Sequence, residues 1–259
     1  MVDESEQIEV VNQPDRGEQA EPRVAMVVVA HPDDAEFGCA GTLAVWAQEG
    51  YDVYQVIITD GSAGGPDEAT DVGPEARRRV VETRQGEQRA AAAVLGVRDV
   101  IFLNYPDGTL EPSIELRRDL VRLFRRYRVS RLLVQSPERT WRPAYQIGRY
   151  HPDHLASGQA ALAAVYPAAQ NPWDFPELLE EGLPPHRVAE VFIMGAPTVN
   201  YTVDISTTID LKIEALRAHH SQLASHFAML ERWMRTGAAD RGARHGMGYV
   251  EEFHRAQNF

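Results

Sequence analysis

The stretch AHPDDAEFGCAGT, residues 30–42, places acid–base groups directly after the short apolar run VVV at 27–29. Charged side chains are disfavoured at the end of a buried strand, so a cluster of them there indicates chemistry rather than folding. The cluster contains one imidazole and three carboxylates: His31, Asp33, Asp34 and Glu36. Such groups bind divalent metal ions and carry protons in enzymes.

A second cluster of the same kind, YHPDH at 150–154, follows another strand-like segment. If the two strands are neighbours in a parallel sheet, their carboxyl ends meet, and His31 and Asp34 would face His154. Two imidazoles and one carboxylate form the ligand set of a catalytic zinc site that keeps one position open for water. The sequence therefore predicts a zinc site formed by both clusters.

The other residues of the two clusters have predicted roles in hydrolysis. Zinc lowers the pKa of bound water to about 7, and the released proton needs an acceptor, for which Asp33 is the predicted general base. His151 is predicted to lie on the opposite side of a substrate carbonyl and, when protonated, to stabilise the oxyanion. Glu36 is expected to support the first helical turn or a ligand, and Asp153 to orient His151 or His154.

A purely structural interpretation exists for each cluster alone. Asp33 and Asp34 could cap the helix that starts near Glu36, and Pro32 and Pro152 could stiffen turns. That interpretation does not account for a second His-Pro-Asp-His sequence at the end of a neighbouring strand. The metal interpretation is therefore favoured.

Strand-like and helix-like segments alternate along the chain, as they must to position these clusters. The strand-like segments are short, apolar and rich in β-branched residues: 24–30, 53–59, 99–104, 131–136 and 189–195. The helical patterns between them cover 37–49, 75–95, 113–127 and 155–165. This alternation predicts an α/β fold with a single Rossmann-like, doubly wound and mainly parallel sheet. The first strand is predicted to be central, with the chain reversing direction between the first and fourth strands, where such sheets bind ligands.

Composition limits the partners and the compartment. A net charge of −12 argues against nucleic acid and favours a small neutral or cationic substrate. No apolar run is long enough to cross a bilayer, and the polar first residues lack the pattern of a signal peptide, so a cytoplasmic protein is predicted. The single Cys39, expected to be buried in the first helix, is compatible with a reducing compartment. We predict an acidic, disordered tail at 1–22 and one α/β domain at 23–259.

Several segments outside the two clusters carry more local predictions. TVDIST at 202–207 predicts a short strand, and DLKIEALRAHHSQLAS at 210–225 an amphipathic helix, followed by a looser tail. His219 and His220 in this helix are expected to pack or cap rather than bind metal. The Pro-rich segment 166–186 is predicted to be a lid or an oligomer contact.

Two further segments are predicted to border the substrate. TDGSAGG at 59–65 would form a flexible rim of the pocket. The segment 138–150 would face the substrate, with Trp141 and Tyr145 either stacking on a substrate ring or making packing or subunit contacts.

These motifs resemble the zinc-dependent N-deacetylases of the PIG-L or LmbE-like family over residues 24–256. The motifs are AHPDDAEFGCAGTLA, TDGSAGG, the pattern Arg84, Glu87, Ala91, Leu95, Gly96, then HPDH, KIEALRAHHSQ and GYVEEFHRA. The resemblance implies the LmbE-like deacetylase fold and one Zn2+ per chain, or another divalent metal such as Fe2+. It implies hydrolysis of N-acetylated amino sugars or their conjugates to a free amine and acetate, and a homo-oligomer.

The resemblance also assigns residues. It implies that His31, Asp34 and His154 bind zinc, that Asp33 is the general base, and that His151 assists the oxyanion or the leaving amine. One position departs from the family pattern, because members that make mycothiol carry a catalytic tyrosine two residues before the histidine of the second motif.

In this chain Arg149 occupies that position, and Tyr150 adjoins the histidine. Tyr150 is a candidate substrate-binding residue. Arg84 is another, since it matches a family arginine that contacts substrate hydroxyl or phosphate groups, although an arginine on an amphipathic helix can simply be solvated.

Two other functions use the same residues. The chain could be a metal-dependent amidase or esterase that acts on another small conjugate, or a non-catalytic sugar-binding protein on the same fold. A base beside a complete ligand set favours an enzyme, because a binding protein has no use for an activated water.

Overall fold

The computed structural model describes residues 23–141, 147 and 150–259, and within them seven strands form one sheet flanked by helices. The strands are β1 Val24–Val29, β2 Asp52–Thr59, β3 Asp99–Tyr105, β4 Arg131–Gln135, β5 Glu190–Met194, β6 Tyr201–Asp204 and β7 Val250–Gln257. The helices are α1 Asp34–Gln48, α2 Pro74–Val94, α3 Ile114–Tyr127, α4 Pro152–Ala163, α5 Glu177–Glu180, α6 Ile209–Ala218, α7 His220–Leu223 and α8 Phe227–His245. The predicted α/β fold is confirmed.

The strand order is β3-β2-β1-β4-β5-β7-β6, with β1 to β5 all parallel. β1 therefore lies between β2 and β4, and the chain reverses direction between β1 and β4, as predicted. Only β7 runs antiparallel, to both β5 and β6. The crevice of such a sheet lies outside the carboxyl ends of β1 and β4, where both polar clusters are found.

The core consists of two apolar layers, one on each face of the sheet. All six residues of β1 are buried, because successive side chains enter opposite layers. Met26 and Val28 pack in the layer that contains α3 and α4, whereas Ala25, Val27 and Val29 pack against α1 and α2. The buried Cys39 belongs to the second layer, as predicted.

The C-terminal region differs from the looser tail predicted from its composition. Residues 227–245 form the long helix α8, and β7 inserts between β5 and β6. β7 has the sequence VEEFHRAQ, and its charged residues hide the strand signal, although Val250 and Phe253 are fully buried. Pairing in the sheet, rather than local pattern, makes this segment a strand.

The Pro-rich segment 166–186 is not a lid over the crevice. It packs against the last turn of α3, where Arg125 donates hydrogen bonds to the carbonyls of Ala168, Ala169 and Asn171. Since α3 runs antiparallel to the strands, this turn lies at the amino-terminal edge of the sheet, opposite the polar clusters. A role of the segment in oligomer contacts stays a prediction.

Some predictions concern residues that the structure does not describe. The predicted disordered tail, residues 1–22, lies outside the described residues, as do Tyr145 and Arg149. Among the residues that are described, no helix is both long and apolar enough to span a bilayer.

Candidate metal centre and active site

The two polar clusters meet at the carboxyl ends of β1 and β4. His31 follows β1 by two residues, and Asp34 is the first residue of α1. His151 caps α4, and His154 lies in its first turn. The side chain of Gln135, the last residue of β4, accepts a hydrogen bond from the Ala30 backbone N–H at 3.0 Å. Both predicted helices begin three residues earlier than expected, which places the motif residues in their first turns.

Three side chains, those of His31, Asp34 and His154, form a small triangle at this point. His31 Nδ1 lies 3.2 Å from His154 Nε2 and 3.3 Å from Asp34 Oδ2, and His154 Nε2 lies 3.0 Å from Asp34 Oδ1. Bonds of about 2.0–2.1 Å to a tetrahedral zinc place ligand atoms roughly 3.3 Å apart. The edges of the triangle are compatible with one bound divalent ion, and the structure brings the three predicted ligands together.

The second nitrogen of His31 faces two carboxylates. His31 Nε2 lies 3.1 Å from Asp107 Oδ1 and 3.1 Å from Asp153 Oδ2. Asp153 is fully buried and also accepts hydrogen bonds from the backbone N–H groups of Gly108 and Leu110. A proton held on Nε2 leaves the Nδ1 lone pair free for a metal, as in other carboxylate–histidine–metal arrangements.

This arrangement corrects one prediction and adds one residue. Asp153 was expected to orient His151 or His154, but it orients His31, because its fully buried carboxylate lies below the first turn of α4. Asp107 was missed because it is a lone acid in the turn PDG after β3. Its position after a third parallel strand was the available signal, since that strand ends at the same edge of the sheet.

The charges of this cluster are strongly coupled. Burial lowers the pKa of His31, but the hydrogen bonds that its ring donates to the Asp107 and Asp34 carboxylates outweigh burial and raise the pKa to about 10. Burial acts to raise the pKa of Asp34, yet its hydrogen bonds to His154 and His31 hold that pKa far below its ordinary value. A divalent cation bound at the triangle would thus have to displace a proton from His31.

Asp33 directly precedes Asp34, but its carboxylate contacts Arg84 and is not part of the triangle. Its backbone has the left-handed value φ 85°, which is rare for a residue other than glycine. The backbone N–H of Asp33 donates to Gln88 Oε1 at 2.9 Å, and its Oδ2 lies 3.4 Å from Arg84 Nη2. Burial, followed by the negative charge of Asp34, raises the pKa of Asp33 to about 7. A carboxylate with this pKa suits proton transfer at neutral pH.

A network of fully buried polar side chains holds the backbone of Asp33 in place. Gln88 Nε2 donates to Glu36 Oε1 at 3.0 Å and to Gln55 Oε1 at 2.9 Å, and Gln55 Nε2 donates to Glu36 at 2.9 Å. His219 Nε2 lies 3.2 Å from Glu36 Oε2. The helix predicted over residues 210–225 is divided at His219 into α6 and α7. We call these four residues the Gln88 network. His219 is thus a packing residue, as expected, and the Glu36 carboxylate bonds within this network, which holds Asp33, rather than to the residues of the triangle.

His151 is half-exposed at the mouth of the site. Its Nδ1 accepts the backbone N–H of Asp153 at 3.2 Å, which leaves the ring proton on Nε2. Burial and the neighbouring charge of His31 lower the pKa of His151. The structure therefore favours a neutral imidazole that donates from Nε2, not the protonated ring expected from the sequence.

The two substrate-binding candidates, Arg84 and Tyr150, line different cavities. Arg84 is buried, and it donates to the carbonyls of Pro32 and Gly61 at 2.9 and 3.0 Å, so much of its guanidinium holds the two loops together. A Cβ on Gly64 would lie 2.3 Å from Arg84 Nη1, which explains a glycine in the TDGSAGG loop. Tyr150 accepts the backbone N–H of Thr140 at 2.9 Å through its hydroxyl. Substrate contact by either residue stays a prediction.

Two open cavities flank these residues. One of about 430 Å3 is lined by Asp34 and His154 together with Tyr150 and one side of α8. The other, of about 940 Å3, is bordered by the glycine-rich loop, α2 and Arg84, which confirms the predicted position of that loop at the rim of a pocket. Both volumes lie in the range of small-molecule sites.

Comparison with known proteins extends the geometric result. The family model for PIG-L, GlcNAc-PI de-N-acetylase, matches residues 26–165. A diacetylchitobiose deacetylase from Thermococcus kodakarensis is 31% identical over 227 residues, which cover 87% of this chain and 80% of that protein. The structure of N,N'-diacetylchitobiose deacetylase from Pyrococcus horikoshii superimposes with a TM-score of 0.80 and 28% identity, covering 93% of this chain and 88% of the other.

A third similarity concerns the fold alone. The structure of the 4-carboxy-2-hydroxymuconate hydratase of Pseudomonas putida superimposes with a TM-score of 0.72 and 20% identity. The alignment covers 91% of this chain and 97% of the hydratase chain. The fold alone does not determine the reaction. The matched family model and the extent of the deacetylase alignment show that this chain belongs to the PIG-L family.

Proposed function

We propose that this protein is a zinc-dependent hydrolase that removes the acetyl group from the nitrogen of an N-acetylated amino sugar or its conjugate. The observation that carries the proposal is the triangle of His31 Nδ1, Asp34 and His154 Nε2, with edges of 3.0–3.3 Å. Relatives named as deacetylases of acetylated amino sugars support the same reaction. Zinc suits this ligand set best, although another divalent ion such as Fe2+ has similar preferences.

The residues around the triangle supply the proton transfers. A metal ion held there would polarise the acetamide carbonyl and lower the pKa of water to about 7. Asp33 accepts the proton of the attacking water, and later donates it to the amine nitrogen as the C–N bond breaks. Acetate and the free amine are the products. The pKa of about 7 lets Asp33 both accept and return this proton.

His151 stabilises the negative charge that develops on the carbonyl oxygen. Its Nδ1 is engaged by the Asp153 N–H, so Nε2 is the donor that it offers to the oxyanion. Removing one such donor typically costs about 100-fold to 1,000-fold in kcat. A neutral donor keeps this function above the ordinary histidine pKa.

Metal content and activity together test the proposal. Protein purified without added metal should contain about one zinc or iron per chain by elemental mass spectrometry. Asp34→Ala should lose both metal and activity, whereas Asp33→Asn should keep the metal and lose most activity. Asp240→Ala, an exposed acid on α8, is the matched control and should keep both.

The substrate panel separates the alternatives. Release of amine from N-acetyl sugars, compared with alcohol release from matched esters, distinguishes an N-deacetylase from an esterase. A metal-free chain that cannot be loaded would refute the metal site, and an Asp33→Asn variant of near wild-type rate would refute the base. Light scattering tests the predicted homo-oligomer.

A further inference from the structure

The cavity of about 430 Å3 beside the ligand triangle has apolar residues from four elements in its lining. These residues are Phe37 and Gly38 of α1, Leu155 of α4, Met194 of β5 and Met234 of α8, and we call them the apolar pocket. The methyl group of an acetamide is much smaller than a cavity in the size range of small-molecule sites. Hydrolysis of an acetyl group therefore leaves most of the apolar pocket unfilled.

The apolar pocket begins at two of the predicted metal ligands. Phe37 and Gly38 lie three and four residues after Asp34, so they share its side of α1. Leu155 directly follows His154 in α4. Because Asp34 and His154 line the same cavity, an alkyl chain on a carbonyl bound at the triangle can extend into the apolar pocket.

The predicted base directs the other half of the substrate to the larger cavity. In the proposed reaction Asp33 returns a proton to the amine nitrogen, so that nitrogen must lie within reach of Asp33. The Asp33 carboxylate contacts Arg84, and Arg84 lines the cavity of about 940 Å3 together with polar side chains such as Ser62 and Gln222. Hydroxyl and amide groups suit the hydroxyls of an amino sugar. The alkyl chain, on the other side of the carbonyl carbon, is then directed to the apolar pocket.

Burial and charge limit the chain that fits. Met194 and Met234 are buried, so an alkyl chain that packs against them is removed from water. Methionine side chains are also flexible and adapt to ligands of different shape. Glu138 and Arg241 line the same cavity, and contact with these charged groups gives a longer apolar chain no further gain. The lining therefore suits a short, uncharged chain.

We propose that the apolar pocket holds the alkyl chain of the acyl group, and that the enzyme hydrolyses N-acyl amino sugars with acyl groups longer than acetyl, such as butanoyl. The inference rests on the hydrolysis proposed above, and the chemistry is the same. The water oxygen bonds to the carbonyl carbon, the C–N bond breaks, and the amine leaves with the proton that Asp33 returns. The acyl group leaves as its carboxylate, which is butanoate in place of acetate.

Selectivity between two acyl groups tests the apolar pocket. The measured quantity is the ratio of kcat/KM for N-butanoylglucosamine to kcat/KM for N-acetylglucosamine. Each methylene moved from water into an apolar site favours binding by a factor of about four. Two methylenes should therefore give a ratio of about 5 to 15 in the wild-type protein.

Filling the cavity should remove this preference. Gly237 lines the cavity, and a Cβ on it would meet only Arg241 Nη1 at 3.6 Å and Nη2 at 3.9 Å. Gly237→Leu should lower the ratio toward one, and Gly237→Ala should lower it less. Both variants should fold, because alanine and leucine are better helix formers than glycine. Gly86→Leu is the matched control, since Gly86 is an exposed helical glycine with nothing within 4 Å of its Cβ position, and the ratio should stay unchanged.

Binding to the Asp33→Asn protein, measured by calorimetry, separates this inference from the proposed function. If the wild-type protein hydrolyses neither amide, but the butanoyl sugar binds more tightly than the acetyl sugar and Gly237→Leu removes that preference, the apolar pocket stands and the hydrolase function fails. Hydrolysis of the acetyl sugar with a wild-type ratio below one would overturn the inference and leave the deacetylase intact. A high ratio that Gly237→Leu leaves unchanged would also overturn it, because the chain then lies elsewhere.

Discussion

Replacing Gln88 by leucine should disable the proposed base without removing the metal. Gln88 Oε1 holds the backbone N–H of Asp33 at 2.9 Å, while its Nε2 donates to Glu36 and Gln55. Leucine has similar volume and leaves no large cavity, but it offers no hydrogen bond. Gln55 Oε1, in a fully buried environment, and the Asp33 N–H, in a part-buried one, then lose their partners.

The size of the effect follows from these two groups. A buried polar group left without a partner costs about 1–3 kcal/mol and a part-buried one less, so the free energy of unfolding should fall by about 1–4 kcal/mol. The φ of 85° at Asp33 is a strained conformation of order 1–3 kcal/mol that persists only while its surroundings hold it. Without Gln88 the backbone can relax, and a shift of about 1 Å in the base can lower kcat on the order of 100-fold.

The assay combines urea unfolding, metal content and deacetylation kinetics. Gln85→Leu is the matched control, because Gln85 lies on the same helix and its hydrogen bond to Asn104 is exposed, so its loss should change stability by about 0.5 kcal/mol or less. Gln88→Leu should keep one metal per chain, since none of the three ligands contacts Gln88. The reasoning is refuted if Gln88→Leu retains kcat within twofold and stability within about 0.5 kcal/mol of the wild-type values.

Three further perturbations address packing and charge. Gly158→Ala should destabilise the fold by about 1–3 kcal/mol and weaken metal binding. The added Cβ would lie 2.2 Å from the backbone oxygen of Gln135 and must push α4 away from β4. Urea unfolding measures the loss of stability, and metal titration measures the loss of metal affinity. Lys212→Met should cost about 3–5 kcal/mol in urea unfolding, because it leaves the buried Glu251 carboxylate, now 2.6 Å from Lys212 Nζ, without its counter-charge. Burial lowers the pKa of His219, but its hydrogen bond to the buried Glu36 carboxylate outweighs burial and raises the pKa above its ordinary value. The stabilisation that protonated His219 gives the fold is therefore complete below the unfolded-state pKa near 6.5. It is lost as pH rises through the higher folded-state pKa. The difference in free energy of unfolding between wild type and His219→Gln should therefore narrow above about pH 6.5.

Each of these predictions has its own control. Gly86→Ala should leave metal binding unchanged, because nothing lies within 4 Å of its Cβ position, and an equal effect in both glycine variants would contradict the α4 argument. The double variant Lys212→Met/Glu251→Leu should lose less stability than the sum of the losses in the two single variants, and a fully additive loss would argue against a coupled pair. If the difference in free energy of unfolding between wild type and His219→Gln widens as pH rises, the assigned direction of the His219 pKa shift is wrong.

The order of strands β1 to β5 and the ligand triangle were predictable from the sequence, because buried parallel strands are continuous apolar runs and His-Pro-Asp motifs follow two of them. The parts that were missed depend on contacts distant in the chain. Asp107 is a single acid in a turn, and only the fold brings it within 3.1 Å of His31. Likewise β7 is rich in charged residues, and only its pairing with β5 and β6 makes it a strand. The tautomer of His151 depends on one backbone N–H of α4, which no sequence pattern encodes.

The adjacent acids Asp33 and Asp34 show how one local conformation separates two roles. Asp34 Oδ2 accepts the backbone N–H of His31 at 2.8 Å while the same carboxylate faces both imidazoles, so it is fixed toward the triangle. The left-handed backbone at Asp33 turns its side chain to the other side, toward Arg84. Their environments push the two pKa values apart, far below the ordinary value for Asp34 and up to about 7 for Asp33. Such a separation is expected when one carboxylate must stay ionised to bind a metal and the other must exchange a proton. Under the proposed function, the strain at Asp33 is the cost of placing the proposed ligand Asp34 and the proposed base Asp33 at consecutive positions.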